Sequence, residues 1–287
     1  MMSILNHLQQ YIFLMRLNKP IGIVLLLWPT LWALWLASHG HPSLKILLIF
    51  VAGVVVMRSA GCVMNDFADR HIDGHVQRTS NRPLPSGTVS STEAWILVGL
   101  LGLIAFLLVL LCNTFTMQLA FIGAGLTLIY PFMKRFTYLP QFGLGIAFAW
   151  SIPMAFAAET VAINFSTWLL FSAGVLWPVI YDTMYAMVDK QDDIKIGVKS
   201  TAILFGKQDR RMIASLQSIF IFILMGVGIT FQLSKIYYVS LLIAAIFFLY
   251  QQWLIKDGDR EQCFHAFLNN HWVGMIIFIG IALNYLL

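Results

Sequence analysis

The sequence predicts an all-α fold, a polytopic bundle of about nine transmembrane helices. Three observations carry this expectation. Of the 287 residues 59% are hydrophobic and only 11% are charged, against roughly 25% charged in a soluble domain. The apolar runs are long enough to cross a hydrocarbon core of about 30 Å, which takes about 20 helical residues. They are also continuous, with none of the short alternating segments that mark a membrane β-barrel.

Taken in order, the runs fall near residues 17–38, 44–64, 94–112, 115–133, 138–158, 165–188, 211–232, 236–255 and 267–286. Pro140 and Pro153 in the fifth and Pro178 in the sixth predict kinks, because proline removes a helical hydrogen bond. Arg16 and Lys19 precede the first run and no cleavage pattern follows it, so this helix is expected to remain as an anchor. Cys62, Cys112 and Cys263 form no CxxC pair and read as small packing residues. The whole chain, 1–287, reads as one integral-membrane domain. Its functional loops are expected near residues 65–92 and 189–210.

Charge fixes the orientation. With the N-terminus cytoplasmic, every lysine and arginine of the 18 falls on the inner side except Lys45 and Lys235, as the positive-inside rule requires. The acids follow, with Glu159 as the exception. The net charge of +5 therefore belongs to one membrane face, and nucleic acid is not an expected partner; the lipid bilayer is.

That face carries the chemistry. The second run ends in "NDFADRHIDG", residues 65 to 74. At 100° per residue Asp66, Asp69 and Asp73 stand on one narrow helical face, joined by Asn65. The sixth run ends in "YDTMYAMVDKQDDIKIG", residues 181 to 197. There Asp182, Tyr185, Asp189 and Asp193 share a stripe and Asp192 lies off it. One such cluster could be a solvated helix end. Two matched stripes on one side, each repelling itself, call for a cation. Oxygen donors with no histidine or thiolate select a hard ion, and Mg²⁺ fits best because it completes its shell with water and phosphate oxygens. Arg78 and Arg82 beside a Pro-Leu-Pro-Ser-Gly turn, and the Lys134–Arg135 pair, add basic groups suited to a diphosphate. The inner-side bias alone also accounts for their location. Arg58 sits deeper, seven residues before Asn65, where it must meet either the aspartates or an anionic ligand.

The two stripes match NDxxDxxxD and DxxYAxxDxxxD without departure, so the chain resembles the UbiA-type intramembrane prenyltransferases over its whole length. Within that family "LNKPIGIVLLLWPTLWALWLA", "RTSNRPLPSG" and "YPFMKRFTYLPQ" resemble the branch that prenylates 4-hydroxybenzoate in ubiquinone synthesis, in a bacterial inner membrane. The resemblance implies Mg²⁺ held by Asn65, Asp66, Asp69, Asp73, Asp182, Asp189 and Asp193, with a polyprenyl diphosphate as donor. It implies leaving-group contacts from Arg78, Arg82, Lys134 and Arg135, and a base at Asp182 or Asp189. Asp69 joins these two as a residue expected to be essential to turnover, and Tyr185 is expected to touch substrate. The acceptor carboxylate would meet Arg58 or Arg16. Trp28, Trp32 and Trp35 line one side of the first run, either as packing and interface residues or as a lining for the isoprenoid tail. Family relatives with homogentisate, dihydroxynaphthoate or protohaem as acceptor are the near alternatives. A cation-coupled transporter is the distant one, and midplane acids with internal repeats, its usual marks, are missing. A CDP-alcohol phosphotransferase would need a DG…AR…G…D…D pattern that is also missing.

Overall fold

A computed structural model describes residues 4–70, 74, 79 and 81–287. Asp73 and Arg78 lie outside the described residues. Among the described residues twelve α-helices account for the fold, and no strand occurs. They are α1 (Ile4–Leu14), α2 (Ile21–Ala37), α3 (Leu44–Asp69), α4 (Ser91–Val109), α5 (Thr114–Ile129), α6 (Pro140–Ala149), α7 (Ser151–Thr160), α8 (Phe165–Ile196), α9 (Thr201–Phe205), α10 (Asp209–Thr230), α11 (Lys235–Leu254) and α12 (Arg260–Leu286).

Among the described residues eight segments are long and apolar enough to span a bilayer, and the 17-residue α2 adds a shorter apolar helix. The expected nine runs are thus recovered, with shifted ends. α2 begins at Ile21 rather than residue 17, because Pro20 occupies its N-cap. α8 extends through Pro178 to Ile196 as one 32-residue helix. The fifth run divides into α6 and α7 around Trp150. Pro153 has no N–H to offer the Ala149 carbonyl, so the helical ladder is interrupted there. The fourth run ends in a 3₁₀ turn, Tyr130–Arg135, which changes the direction of Lys134 and Arg135.

Two short helices lie outside the expected runs. α1 is held by long-range polar contacts: the His7 ring lies 2.5 Å from Glu93 Oε1, and Tyr11 donates to the same oxygen at 2.7 Å. That hydrogen bond pushes the Tyr11 phenol pKa up. Glu93 meanwhile closes a capping box with Ser90 at the start of α4. α9 is capped by Ser200, whose side chain accepts from the Ile203 N–H.

Consecutive spans pack side by side, and α12 returns to α2, so the bundle closes on itself. The core runs through Trp32, Trp177, Phe220, Tyr237 and Leu224. Trp32 is fully buried and donates to the Gly274 carbonyl at 3.0 Å. Trp28 and Trp35 pack on Phe278. The tryptophan row therefore serves helix packing. Leu103, Phe121, Phe222 and Leu249 point outward from α4, α5, α10 and α11, an inverted exposure that suits a lipid solvent rather than water. Gly145 permits the close approach of α6 to α8: a Cβ there would lie 2.3 Å from the Val175 carbonyl oxygen. That contact draws the α6 side of the bundle against the second acidic stripe.

Candidate active site

α3 and α8 both run toward the same end of the bundle and carry the two acidic stripes there. Asn65, Asp66, Asp69, Asp182, Tyr185, Asp189 and Asp193 all line one cavity of about 550 Å³. The sequence-derived faces therefore converge, with the helical part of the first motif ending at Asp69.

Asp66 and Asp69 are only 1% and 2% exposed. Buried carboxylates need partners, and cations meet them. Arg16 Nη2 donates to both oxygens of Asp66, at 2.9 Å to Oδ1 and 2.7 Å to Oδ2. Arg82 donates to Asp66 Oδ1 at 2.9 Å. Lys134 donates to Asp69 Oδ2. Arg16 achieves its position from a left-handed backbone, φ 58°, which is costly for a residue with a Cβ. Its Nη1 also bonds the Phe13 carbonyl at 2.7 Å. The turn after α1 thus exists to deliver one guanidinium to the metal-type stripe.

Arg135 behaves differently from the expectation of a cavity-facing diphosphate contact. Its guanidinium donates to the Ala68 carbonyl at the end of α3 and lies over the Phe132 ring. A cation at a helix C-terminus offsets the exposed carbonyls and dipole, and the 3₁₀ turn aims Arg135 there while aiming its neighbour Lys134 inward. Arg135 is absent from the cavity lining.

Arg58 lines the same cavity, seven residues before Asn65 on α3 and within electrostatic reach of Asp182. Its Nη1 meets Cys62 Sγ at 2.9 Å, and its guanidinium lies 5.6 Å from the Phe148 ring centroid. The group is pressed against α2, since a Cβ on Gly22 would lie 2.4 Å from Arg58 Nε. No carboxylate forms an ion pair with Arg58 among the described residues, and Nε is buried without a hydrogen-bond partner. Of the two outcomes left open for Arg58, pairing with the aspartates is not observed.

Asp192 points away from the cavity. It pairs with Arg260 at 3.0 Å and Lys195 at 3.8 Å, tying α8 to α12. Sequence reasoning overlooked several lining residues: Lys19, Asn81, Tyr130, Gln141, Tyr181 and Lys199. The segment after α8 supplies Lys199. Gly197 adopts φ 73°, the left-handed turn that favours glycine. The chain then folds back so that the Lys199 N–H bonds the Lys134 carbonyl at 3.2 Å and the Thr201 N–H bonds Gln141 Oε1 at 3.0 Å.

No three Asp, Glu, His or Cys side chains converge into a metal-binding group among the described residues. The donor set nevertheless fits a hard divalent ion in kind. It consists of carboxylate and carboxamide oxygens around one cavity, and the positive charge that a metal would bring to Asp66 and Asp69 is here brought by arginine and lysine.

An oxygen-lined, cation-ringed cavity at one end of a membrane helical bundle defines an integral-membrane protein built to hold an anionic substrate. The sequence profile of the UbiA prenyltransferase family matches residues 26–276, and the chain belongs to that family. It is 56% identical over 285 residues, 99% of each chain, to the 4-hydroxybenzoate octaprenyltransferase of Coxiella burnetii (strain CbuK_Q154). The apo UbiA homologue of Aeropyrum pernix K1 has the same fold, with a TM-score of 0.80 at 28% identity over 91% of this chain and 97% of that one. The Archaeoglobus fulgidus homologue bound to GPP and Mg²⁺ superimposes with a TM-score of 0.73 over 96% of this chain and 98% of its own, at 17% identity.

Proposed function

We propose that this chain transfers a polyprenyl group from polyprenyl diphosphate to the ring carbon ortho to the hydroxyl of 4-hydroxybenzoate, a step of ubiquinone biosynthesis. The reading is supported by near full-length identity to a protein named for that reaction. The carrying structural observation is one cavity lined both by the acidic stripes with their cations and by Arg58, which forms no ion pair among the described residues. It thus offers cations for a diphosphate and for the carboxylate of an aromatic acid.

Asn65, Asp66, Asp69, Asp182, Asp189 and Asp193 would hold Mg²⁺, together with Asp73 from outside the described residues. When bound, the ion supplies Lewis-acid charge to the diphosphate oxygens. The chain's own residues do the rest. Arg82 and Lys134 bind the diphosphate and stabilise negative charge as the allylic C–O bond breaks; Arg16 acts beside Arg82 on Asp66, and Arg78, outside the described residues, is a further diphosphate contact from its sequence position. Arg135 holds the end of α3 and thereby the positions of Asp66 and Asp69. Arg58 orients the acceptor by its carboxylate, so that the ring carbon ortho to the hydroxyl faces the allylic carbon. The new C–C bond forms there, diphosphate leaves, and the ring proton passes to Asp182 or Asp189. Tyr185, packed 4.8 Å from Phe267, lines the cavity between Asp182 and Asp189 along α8 and meets substrate there.

The protein is a bacterial inner-membrane enzyme in this reading, with its N-terminus and the loops near 65–92 and 189–210 on the cytoplasmic side, all within one domain. The inward bias of lysine and arginine supports that topology. The deciding experiment offers the purified protein, in lipid with Mg²⁺ and an isoprenyl diphosphate, each aromatic acceptor separately. A prenylated product with 4-hydroxybenzoate is expected. A product only with homogentisate or dihydroxynaphthoate would move the enzyme to another branch, and ion flux without product would make it a transporter.

A further inference from the structure

Tyr181 lies one residue before the second acidic motif, is 2% exposed and lines the reaction cavity. Its ring is held edge-on by Trp177 at 5.5 Å and Phe267 at 6.0 Å. Yet its hydroxyl is buried with no hydrogen-bond partner. Buried polar groups carry a desolvation penalty unless paired, and in a membrane interior the penalty grows. An orphaned hydroxyl in a rigid aromatic cage calls for a ligand that completes it.

Arg58 lies close by, its Nε–Nη2 edge against Gly22, with Tyr130, Tyr181 and Asp182 all within electrostatic reach of its guanidinium. Arg58 precedes Asp66 by eight residues on α3, and Tyr181 precedes Asp189 by eight on α8, next to Asp182. Each is thus about 12 Å along its own helix from those carboxylates. Leu25, Leu144, Phe148 and Tyr130 line the same cavity, and of these only Tyr130 is polar.

An unpaired hydroxyl donor near a guanidinium suits a planar group with two acceptor oxygens. We infer that the Tyr181 hydroxyl donates to the acceptor's carboxylate beside Arg58, which makes Tyr181 a specificity-determining residue for aromatic acids. This rests on the acceptor site proposed above. A hydrogen bond to a charged oxygen is stronger than a neutral one, and its loss should be visible in acceptor affinity rather than in the chemical step.

Tyr181→Phe keeps the ring and its aromatic packing, so the fold is retained, and a thermal melt checks it. The KM for 4-hydroxybenzoate is expected to rise on the order of tenfold, with the KM for the prenyl diphosphate unchanged. The competitive inhibition constant of 4-chlorobenzoate, which keeps the carboxylate and lacks the phenol, should rise by the same factor. If that constant stays fixed while the acceptor KM rises, Tyr181 meets the phenol and the inference is overturned. If neither moves, the hydroxyl has no part in substrate binding and it is overturned equally. Arg58→Lys, measured in parallel, separates the two failures. Loss of acceptor affinity in Arg58→Lys alone removes only Tyr181 from the site, whereas no loss in either variant removes the acceptor site itself.

Discussion

Arg16 and Asp66, 50 residues apart, are joined through one guanidinium nitrogen, Nη2, which lies within 2.9 Å of both carboxylate oxygens. The other terminal nitrogen, Nη1, holds the Phe13 carbonyl. The left-handed backbone of Arg16 makes the position costly to hold, so the pair is a built feature of the site. A guanidinium bridges Asp66 and the Phe13 carbonyl with two nitrogens, which the single nitrogen of lysine cannot do. Arg16→Lys should therefore lower kcat/KM for the prenyl diphosphate by roughly tenfold, and Arg16→Ala by more. Steady-state kinetics with the donor varied measures both, and equal activity of the lysine variant would reduce Arg16 to a point charge.

Asp69→Ala and Asp189→Ala should abolish turnover without unfolding the protein, because each removes an oxygen from the cavity mouth that no neighbour replaces. Asp192→Ala should keep most activity. Its partners Arg260 and Lys195 are substantially exposed, and such pairs contribute about 0–1 kcal/mol. Product assays on the three variants, with thermal melts in the same detergent, test the assignment. An inactive Asp192→Ala beside an active Asp189→Ala would mean that the stripe is placed on the wrong face of α8.

Metal dependence follows from the donor set. Exhaustive EDTA should remove activity, Mg²⁺ or Mn²⁺ should restore it, and Zn²⁺ should restore it poorly, since no imidazole or thiolate is available in the stripes. Full turnover after chelation would take the divalent ion out of the reaction.

Much of this was legible because bilayer thickness dictates run length and helical periodicity dictates faces. Asp66, Asp69, Asp182, Asp189 and Asp193 lie about the predicted cavity for that reason. α1 escaped because Ile4–Leu14 is too short for a membrane ruler, and what holds it, Glu93, lies more than 80 residues away. Arg135 was assigned to the diphosphate because the side of the membrane is readable and the direction of a side chain is not. The 3₁₀ turn at Tyr130–Arg135 separates it from Lys134. Tyr181 was passed over since a tyrosine in an apolar run reads as core until its hydroxyl is found unpaired.

Gly22 tests Arg58 from the other side. A Cβ there would fall 2.4 Å from Nε and 2.5 Å from Nη2 of Arg58, closer than any stable contact. Gly22→Ala should displace the guanidinium while leaving its charge. The KM for 4-hydroxybenzoate is then expected to rise several-fold and that for the prenyl diphosphate to stay constant. An unchanged acceptor KM would show that the position of Arg58 is immaterial.

Arg58 itself separates the two substrates. It lies 11 residues before Asp69 on the same face of α3, about 16 Å deeper along the helix. Arg82 and Lys134 remain at the mouth on Asp66 and Asp69, too far away to take over its contact. Its Nε–Nη2 edge abuts Gly22, and Nη1 meets Cys62 Sγ, a weak acceptor that an incoming carboxylate would displace. Lysine keeps the charge and loses the fork. Arg58→Lys should raise the KM for 4-hydroxybenzoate by about tenfold or more with donor affinity kept. Arg82→Ala should do the reverse, because it strips a cation from the diphosphate end. Varying each substrate in turn at saturating levels of the other reads both effects. If Arg58→Lys weakened only the prenyl diphosphate, the deep end of the cavity would belong to the donor. The acceptor carboxylate would then have to displace Arg16 from Asp66.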